Sequence, residues 1–171
     1  MVLPSIPDYL QPGLRVVFVG FNPGTRSAAV GHYYAGRGNL FWPLLSESGL
    51  VSEPLTYTDD HRVLAFGIGL TDLVKRSTPS SADLSAAEAR AGTLVLRDKL
   101  LTCAPRVVCF NGKGVYAWYV QHPVALGLQE EHIGQAPVFV MPSTSARNGR
   151  VHRQEKAAYF RALYHLVLES A

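Results

Sequence analysis

Four short, largely apolar runs, Arg15–Gly20, Arg62–Ile68, Arg106–Phe110 and Pro137–Val140, alternate along the chain with segments of helical spacing. Such runs lack the every-other-residue polarity of a half-exposed strand, so they predict strands buried on both faces. Asn39 suits the cap of a helix carrying Phe41, Trp42, Leu44 and Leu45, with Pro43 tolerated in its first turn and Gly49 ending it. Ser85-Ala86-Ala87-Glu88 is a capping box, opening a helix that bears Ala89, Leu94, Leu96 and Leu100 and ends near Thr102. Asn111-Gly112-Lys113-Gly114 turns into a helix with Val115, Tyr116, Trp118 and Tyr119, and a last helix runs from about His152 to Leu168. Gln121–Gln135 has room for a small hairpin. Lys75–Asp83, rich in Ser, Thr and Pro, reads as an extended surface segment, and residues 1–14, with three prolines, as a surface leading segment.

Strands alternating with helices specify an α/β fold. We expect a three-layer α/β/α sandwich around a central, mostly parallel sheet of four or five strands, in one domain spanning 1–171. At 171 residues and 47% apolar composition the chain can bury a sizeable core and is not disordered in character. No apolar run approaches the length that spans a bilayer, and the first residues lack the pattern of a signal peptide, so the expected location is cytoplasmic, with no membrane partner.

Between the first strand and Asn39 lie roughly 18 residues without periodicity, a length uncommon in a loop that binds nothing. This stretch begins Gly20-Phe21-Asn22-Pro23-Gly24, a turn just beyond the carboxyl end of a strand, where open α/β sheets place ligands. It continues with His32, Tyr33 and Tyr34 among Gly31, Gly36 and Gly38. A second candidate loop, Met141-Pro142-Ser143-Thr144-Ser145-Ala146-Arg147-Asn148-Gly149-Arg150, leaves the fourth strand and leads into the last helix. Parallel strands should bring the two loops together. Gly67–Asp72 forms a third polar loop after the second strand.

The net charge of +3 is unevenly distributed. Arg15, Arg26 and Arg37 stand in the first segment without an acid, and Arg147, Arg150, Arg153, Lys156 and Arg161 face Glu155 alone in the last. The region between holds Glu47, Glu53, Asp59, Asp60 and Asp72. Joining the two basic segments would steer a polyanion to one face. The six histidines are scattered, and Cys103 and Cys109 flank a proline at the entry to a strand. Neither set has metal-ligand spacing, so we expect no metal and two core or near-core thiols. No nucleophile elbow and no phosphate-binding glycine fingerprint is present.

Gly20-Phe21-Asn22-Pro23-Gly24, Gly31-His32-Tyr33-Tyr34 and Gly38-Asn39-Leu40-Phe41-Trp42, paired with Met141–Arg147, resemble the mismatch-specific uracil-DNA glycosylases and thymine-DNA glycosylases of bacterial type. The resemblance covers most of the chain and implies a hydrolase that everts uracil from a G:U mismatch and cuts its N-glycosidic bond. It uses water and no cofactor. Monomeric action on double-stranded DNA, in association with the nucleoid, is implied too. By the same resemblance, Asn22 positions the water, Tyr34 stacks on the base, Ser27 or Ala28 lines the pocket and Phe21 supplies backbone contacts. Gly20 and Asn39 complete the substrate side. Ser143, Thr144, Ser145, Ala146 and Arg147 enter the duplex, with Arg150 and Arg153 on the phosphate side.

Asp72 departs from the best-known bacterial relatives, which carry lysine there. At a strand end facing the cleft, its carboxylate would orient water or stabilise a cationic sugar; its alternative role is to cap a turn or pair with Lys75 or Arg76. The Ser-Ala-Arg of the second loop is nearer the thymine-type enzymes, which widens the expected range to thymine or damaged pyrimidines opposite guanine. The competing expectation is a noncatalytic module that recognises flipped or mismatched bases.

Overall fold

The computed structural model describes residues 3–171. Its centre is a five-stranded sheet of β1 (Val16–Gly20), β2 (Ile68–Asp72), β3 (Val107–Asn111), β4 (Gly127–Ile133) and β5 (Ala136–Met141), in the order β2-β1-β3-β5-β4. The first three and β5 are parallel; β4 is an antiparallel edge strand hairpinned onto β5. Every residue of β1, β2 and β3 is buried. Alternate side chains supply two cores: Val16, Phe18, Val107, Cys109, Phe139 and Met141 face one layer, and Val17, Val19, Val108, Phe110, Val138 and Val140 the other.

Helices α2 (Phe41–Glu47) and α5 (Arg153–Glu169) cover the first face through Phe41, Trp42, Leu44, Phe160 and Leu163. Helices α3 (Ala86–Cys103) and α4 (Lys113–Val120) cover the second through Ala89, Leu96, Leu100, Val115 and Tyr116. This is the three-layer arrangement expected. The capping box at Ser85 and Glu88 is formed, and both cysteines are free and buried.

The structure differs from the expectation in five places, one being Lys75–Asp83, which is not a plain extended surface segment: Thr78 is buried and a Ser80–Asp83 capping box turns Ser81–Asp83 into a 3₁₀ helix. The second strand is not Arg62–Ile68: Tyr57–Phe66 forms a 3₁₀ helix, started by a Thr56–Asp59 capping box and ended by Gly67 at φ 74°. The strand begins at Ile68, which places Asp72 at its carboxyl end, inside the sheet. The long loop after β1 contains a short helix, α1 (Thr25–Val30), closed by left-handed Gly31. The hairpin expected within Gln121–Gln135 instead joins β4 to β5 through Gly134. Finally, the leading segment is anchored: Ile6 is buried, Tyr9 bridges Leu70, and Asp8 accepts from Thr71, Lys75 and Lys99.

No described helix is long and apolar enough to cross a membrane.

Candidate active site

From β1 the chain moves to β2 on one side and then returns to β3 on the other. The strand order reverses between β1 and β3, so loops leaving their carboxyl ends part there and leave a crevice. A cleft of about 850 Å³ occupies this place. It is lined by Asn22 after β1, Asp72 ending β2, Gly112 and Lys113 after β3, and Ser143–Arg147 after β5. Asn22 and Arg147 thus share one cavity. The two loops also touch directly: Leu40 N donates to Thr144 O at 3.0 Å, and a Cβ on Gly38 would lie 3.2 Å from that of Ala146.

Asn22 does not bond its own turn. Its Nδ2 donates to Arg76 O at 2.9 Å and to Thr78 Oγ1 at 2.8 Å, and Thr78 passes the chain on to Ser80 O. A carbonyl can only accept, so Arg76 O fixes which end of the amide faces it, and Oδ1 accepts from no group among the described residues. Both donors being spent on protein, the side chain is held for whatever Oδ1 binds.

Tyr34 stacks on Phe41 with ring centroids 4.2 Å apart and planes 22° from parallel, and it also lines the cleft. Phe41 packs one face, Tyr33 lies tilted at 6.1 Å, and the residue is part-exposed. Asp72 is buried and, contrary to the simpler expectation, forms no ion pair with its neighbours: Lys75 pairs with Asp8 and Arg76 with Glu88. Burial pushes its carboxyl up to about 7, opposed by Lys75 and Lys99 and reinforced by Asp8. Asp72 Oδ2 and Tyr34 Oη are both buried without a hydrogen-bond partner among the described residues. A Cβ on Gly20 would stand 2.5 Å from Asp72 Oδ1 and 3.1 Å from Tyr34 Oη. Only glycine admits both groups at this point.

Of the other predicted residues, Ser27, Phe21 and Asn39 line the cleft, whereas Ala28 lies outside it. Ser27 Oγ accepts from Ala35 N, and Asn39 Oδ1 accepts from Phe41 N, so each also holds backbone. Ser143, Ser145, Ala146 and Arg147 are at least partly accessible. Thr144 is not. It is fully buried and locked to Asn111, whose Nδ2 donates to its Oγ1 at 2.9 Å and whose Oδ1 accepts from its amide at 3.0 Å. These bonds latch the second loop onto β3. Arg153 makes a two-pronged contact to Glu47, at 2.7 and 3.2 Å, away from the cleft. Arg150 is exposed but also lies outside the lining. Arg26, Arg37, Lys113 and Arg147 line the mouth, and none of them pairs with a carboxylate among the described residues.

Sequence patterns missed Thr78 and Asn111. Asn111 carried a signal: it follows a buried strand run directly and precedes Gly112, just as Asn22 follows β1. Thr78 carried none, since its bond to Asn22 spans 56 positions.

A family model described as the uracil DNA glycosylase superfamily matches residues 7–167. The chain is 34% identical over 159 residues to a G/U mismatch-specific uracil DNA glycosylase of Schizosaccharomyces pombe, covering 85% of this chain and 48% of that protein. It therefore spans about half the length of that relative. A solution structure of a candidate uracil DNA glycosylase from Methanosarcina acetivorans superposes with a TM-score of 0.62 at 21% identity, over 97% of this chain and 99% of the other. The match runs through every element that builds the cleft: the chain belongs to the uracil DNA glycosylase superfamily.

Proposed function

We propose that the protein hydrolyses the N-glycosidic bond of uracil opposite guanine in double-stranded DNA, leaving an abasic site. The observation that carries this reading is the held Asn22 amide, in the same cleft as the Tyr34 ring stacked on Phe41 and an arginine-tipped loop. Membership of a glycosylase superfamily and the similarity to a G/U mismatch-specific enzyme support it.

An everted base would lie against the Tyr34 ring, with Ser27 and Gly20 below it. Asn22 Oδ1 would accept from a water aligned on the sugar C1′. A neutral amide is a weak base, so it orients the water, and the rate must come chiefly from stabilising a cationic sugar and a departing uracil anion. Asp72, once ionised, would add negative potential beneath that sugar. Eversion costs a few kcal/mol, least at a mismatch. The loop Ser143–Arg147 is folded in advance to offset it: Ser145 N donates to Ser143 Oγ, Arg147 N to Ser145 Oγ, and Asn148 Nδ2 to Ser143 O. Arg147 would enter the vacated space, while Arg26, Arg37 and Lys113 meet phosphates.

The protein with no added metal, incubated with G:U, A:U, G:T and single-stranded uracil substrates, is expected to release uracil from G:U fastest and leave an alkali-labile site. Binding without product on every substrate would replace this reading with a noncatalytic module.

Gly20→Ala offers a second check. Its Cβ must displace Asp72 or Tyr34, and misplacement of about 1 Å commonly costs up to ~100-fold. We expect single-turnover excision at least about tenfold slower, with affinity for abasic DNA retained. A rate equal to wild type would remove both side chains from the reacting position.

A further inference from the structure

We infer that Asp60 is a positioning residue for the reaction, clamping Tyr34 in the backbone conformation that presents its ring to an everted base. The inference rests on the proposed role of Tyr34 as the platform for that base. Tyr34 is one of three described residues other than glycine with positive φ, at 55°. Such a conformation persists only where the surroundings impose it. Here the peptide groups on both sides are gripped by side chains from elsewhere.

Asp60 Oδ2 accepts from Tyr33 N at 3.0 Å and Trp42 Nε1 donates to Tyr33 O at 2.8 Å. On the other side, Ala35 N donates to Ser27 Oγ at 3.0 Å and Arg26 Nε donates to Ala35 O at 2.8 Å. Trp42 and Ser27 thus hold the two peptides that flank Tyr34, and Asp60 and Arg26 hold the next peptide out on each side.

Asp60 is the deepest of these holders. It is fully buried, and its second oxygen meets His32 Nδ1 at 3.0 Å, with His61 Nδ1 at 3.9 Å. It reaches the loop from the 3₁₀ helix Tyr57–Phe66, which otherwise contributes nothing to the cleft lining. A buried carboxylate is costly to maintain unless it is well bonded. Besides the loop, the Tyr9 phenol of the leading segment also lies against this carboxylate. The carboxylate's bonds go to the backbone that precedes Tyr34 and to the imidazole of His32, two residues before it.

The test compares Asp60→Ala, Tyr34→Ala and the double variant in single-turnover excision from G:U DNA. Asp60→Ala is expected to be at least about tenfold slower than wild type, while its affinity for abasic DNA, which has no base to stack, stays within about twofold. Because Asp60 acts through Tyr34, the double variant should be no slower than Tyr34→Ala. Asp60→Asn, which keeps an acceptor for Tyr33 N, should recover the rate to within about threefold of wild type. Losses that multiply in the double variant, or a parallel loss of abasic-DNA binding, would overturn the assignment.

Should Asp60→Ala fail to fold, Asp60→Ser on the same two backgrounds gives the same comparison. Amide exchange separates this inference from the glycosylase reading: in the Asp60 variant the Tyr33 amide should exchange at least about tenfold faster while the β1 amides keep their protection. That result is read whether or not uracil is released, and unchanged exchange at Tyr33 would end the clamp even in an active enzyme.

Discussion

Asn22→Ala should slow single-turnover uracil excision by at least ~100-fold, about 2.7 kcal/mol of transition-state stabilisation, while leaving affinity for G:U DNA nearly unchanged. The separation of rate from affinity follows from how the side chain is held. Its Nδ2 bonds are internal, to Arg76 O and Thr78 Oγ1, and Oδ1 is the atom left for water. Removing the amide deletes the acceptor and frees the segment Arg76–Thr78, but it touches none of Arg26, Arg37, Lys113 or Arg147, the bases expected to meet DNA. The fold should survive, because Leu73 N to Gly20 O, Val74 N to Phe21 O and Thr78 N to Pro23 O still join the two segments. Single-turnover kinetics beside equilibrium binding checks this. A rate within about threefold of wild type would remove Asn22 from the chemistry.

Asp72→Asn should change stability and rate in opposite directions, each with a definite pH dependence. In the unfolded chain the carboxyl titrates near 3.8; in the fold, burial moves it to about 7. The native state therefore holds a proton that the unfolded state has released between those values, and stability falls as pH rises from about 4 to about 7. A gap of roughly three pH units at ~1.4 kcal/mol each sets an upper limit of about 4 kcal/mol, and relaxation around the buried charge reduces it. We expect Asp72→Asn to melt several degrees above wild type at pH 8, with the difference fading below about pH 4. Thermal melts across that range measure it.

Catalysis runs the other way. If the ionised carboxylate stabilises the cationic sugar, the wild-type rate should climb as pH rises through about 7, and Asp72→Asn should be slower and lack that limb. Matched pH–rate profiles would show it. A buried carboxyl with Oδ2 unpartnered among the described residues and a glycine cleared beside it fits a site built for reaction.

The parts of this fold that were legible in the sequence are those with a local physical cause. β1, β3 and β5 could be read from uninterrupted apolar runs because parallel strands are covered on both faces. The cap of α3 could be read because Ser85 and Glu88 satisfy each other within one turn. Convergence of the Asn22 and Arg147 loops followed from strand direction alone.

Long-range partnership was not legible. Asp60 to Tyr33, Asn111 to Thr144 and Asn22 to Thr78 join residues 27, 33 and 56 positions apart, and no periodicity announces such pairs. The misplaced second strand has a different origin: Val63-Leu64-Ala65-Phe66 is apolar enough for a strand, but Thr56 and Asp59 had already committed the backbone to a helical turn. That capping signal was present and outweighed the apolar run. α1 was hidden because its six residues carry no side-chain cap and no acid in the first turn.

On this reading one everted nucleotide fits between Asn22 and Tyr34 with Arg147 behind it. The most direct measurement is a crystal structure with a G:U duplex whose deoxyuridine carries a 2′-fluorine in the arabino configuration, which resists glycosidic cleavage by destabilising the cationic sugar. Uracil should lie against the Tyr34 ring, with C1′ toward Asn22 Oδ1 and the Ser143–Arg147 loop in the duplex. Uracil still stacked in the helix, or lodged where Asn22 cannot reach C1′, would contradict that reading.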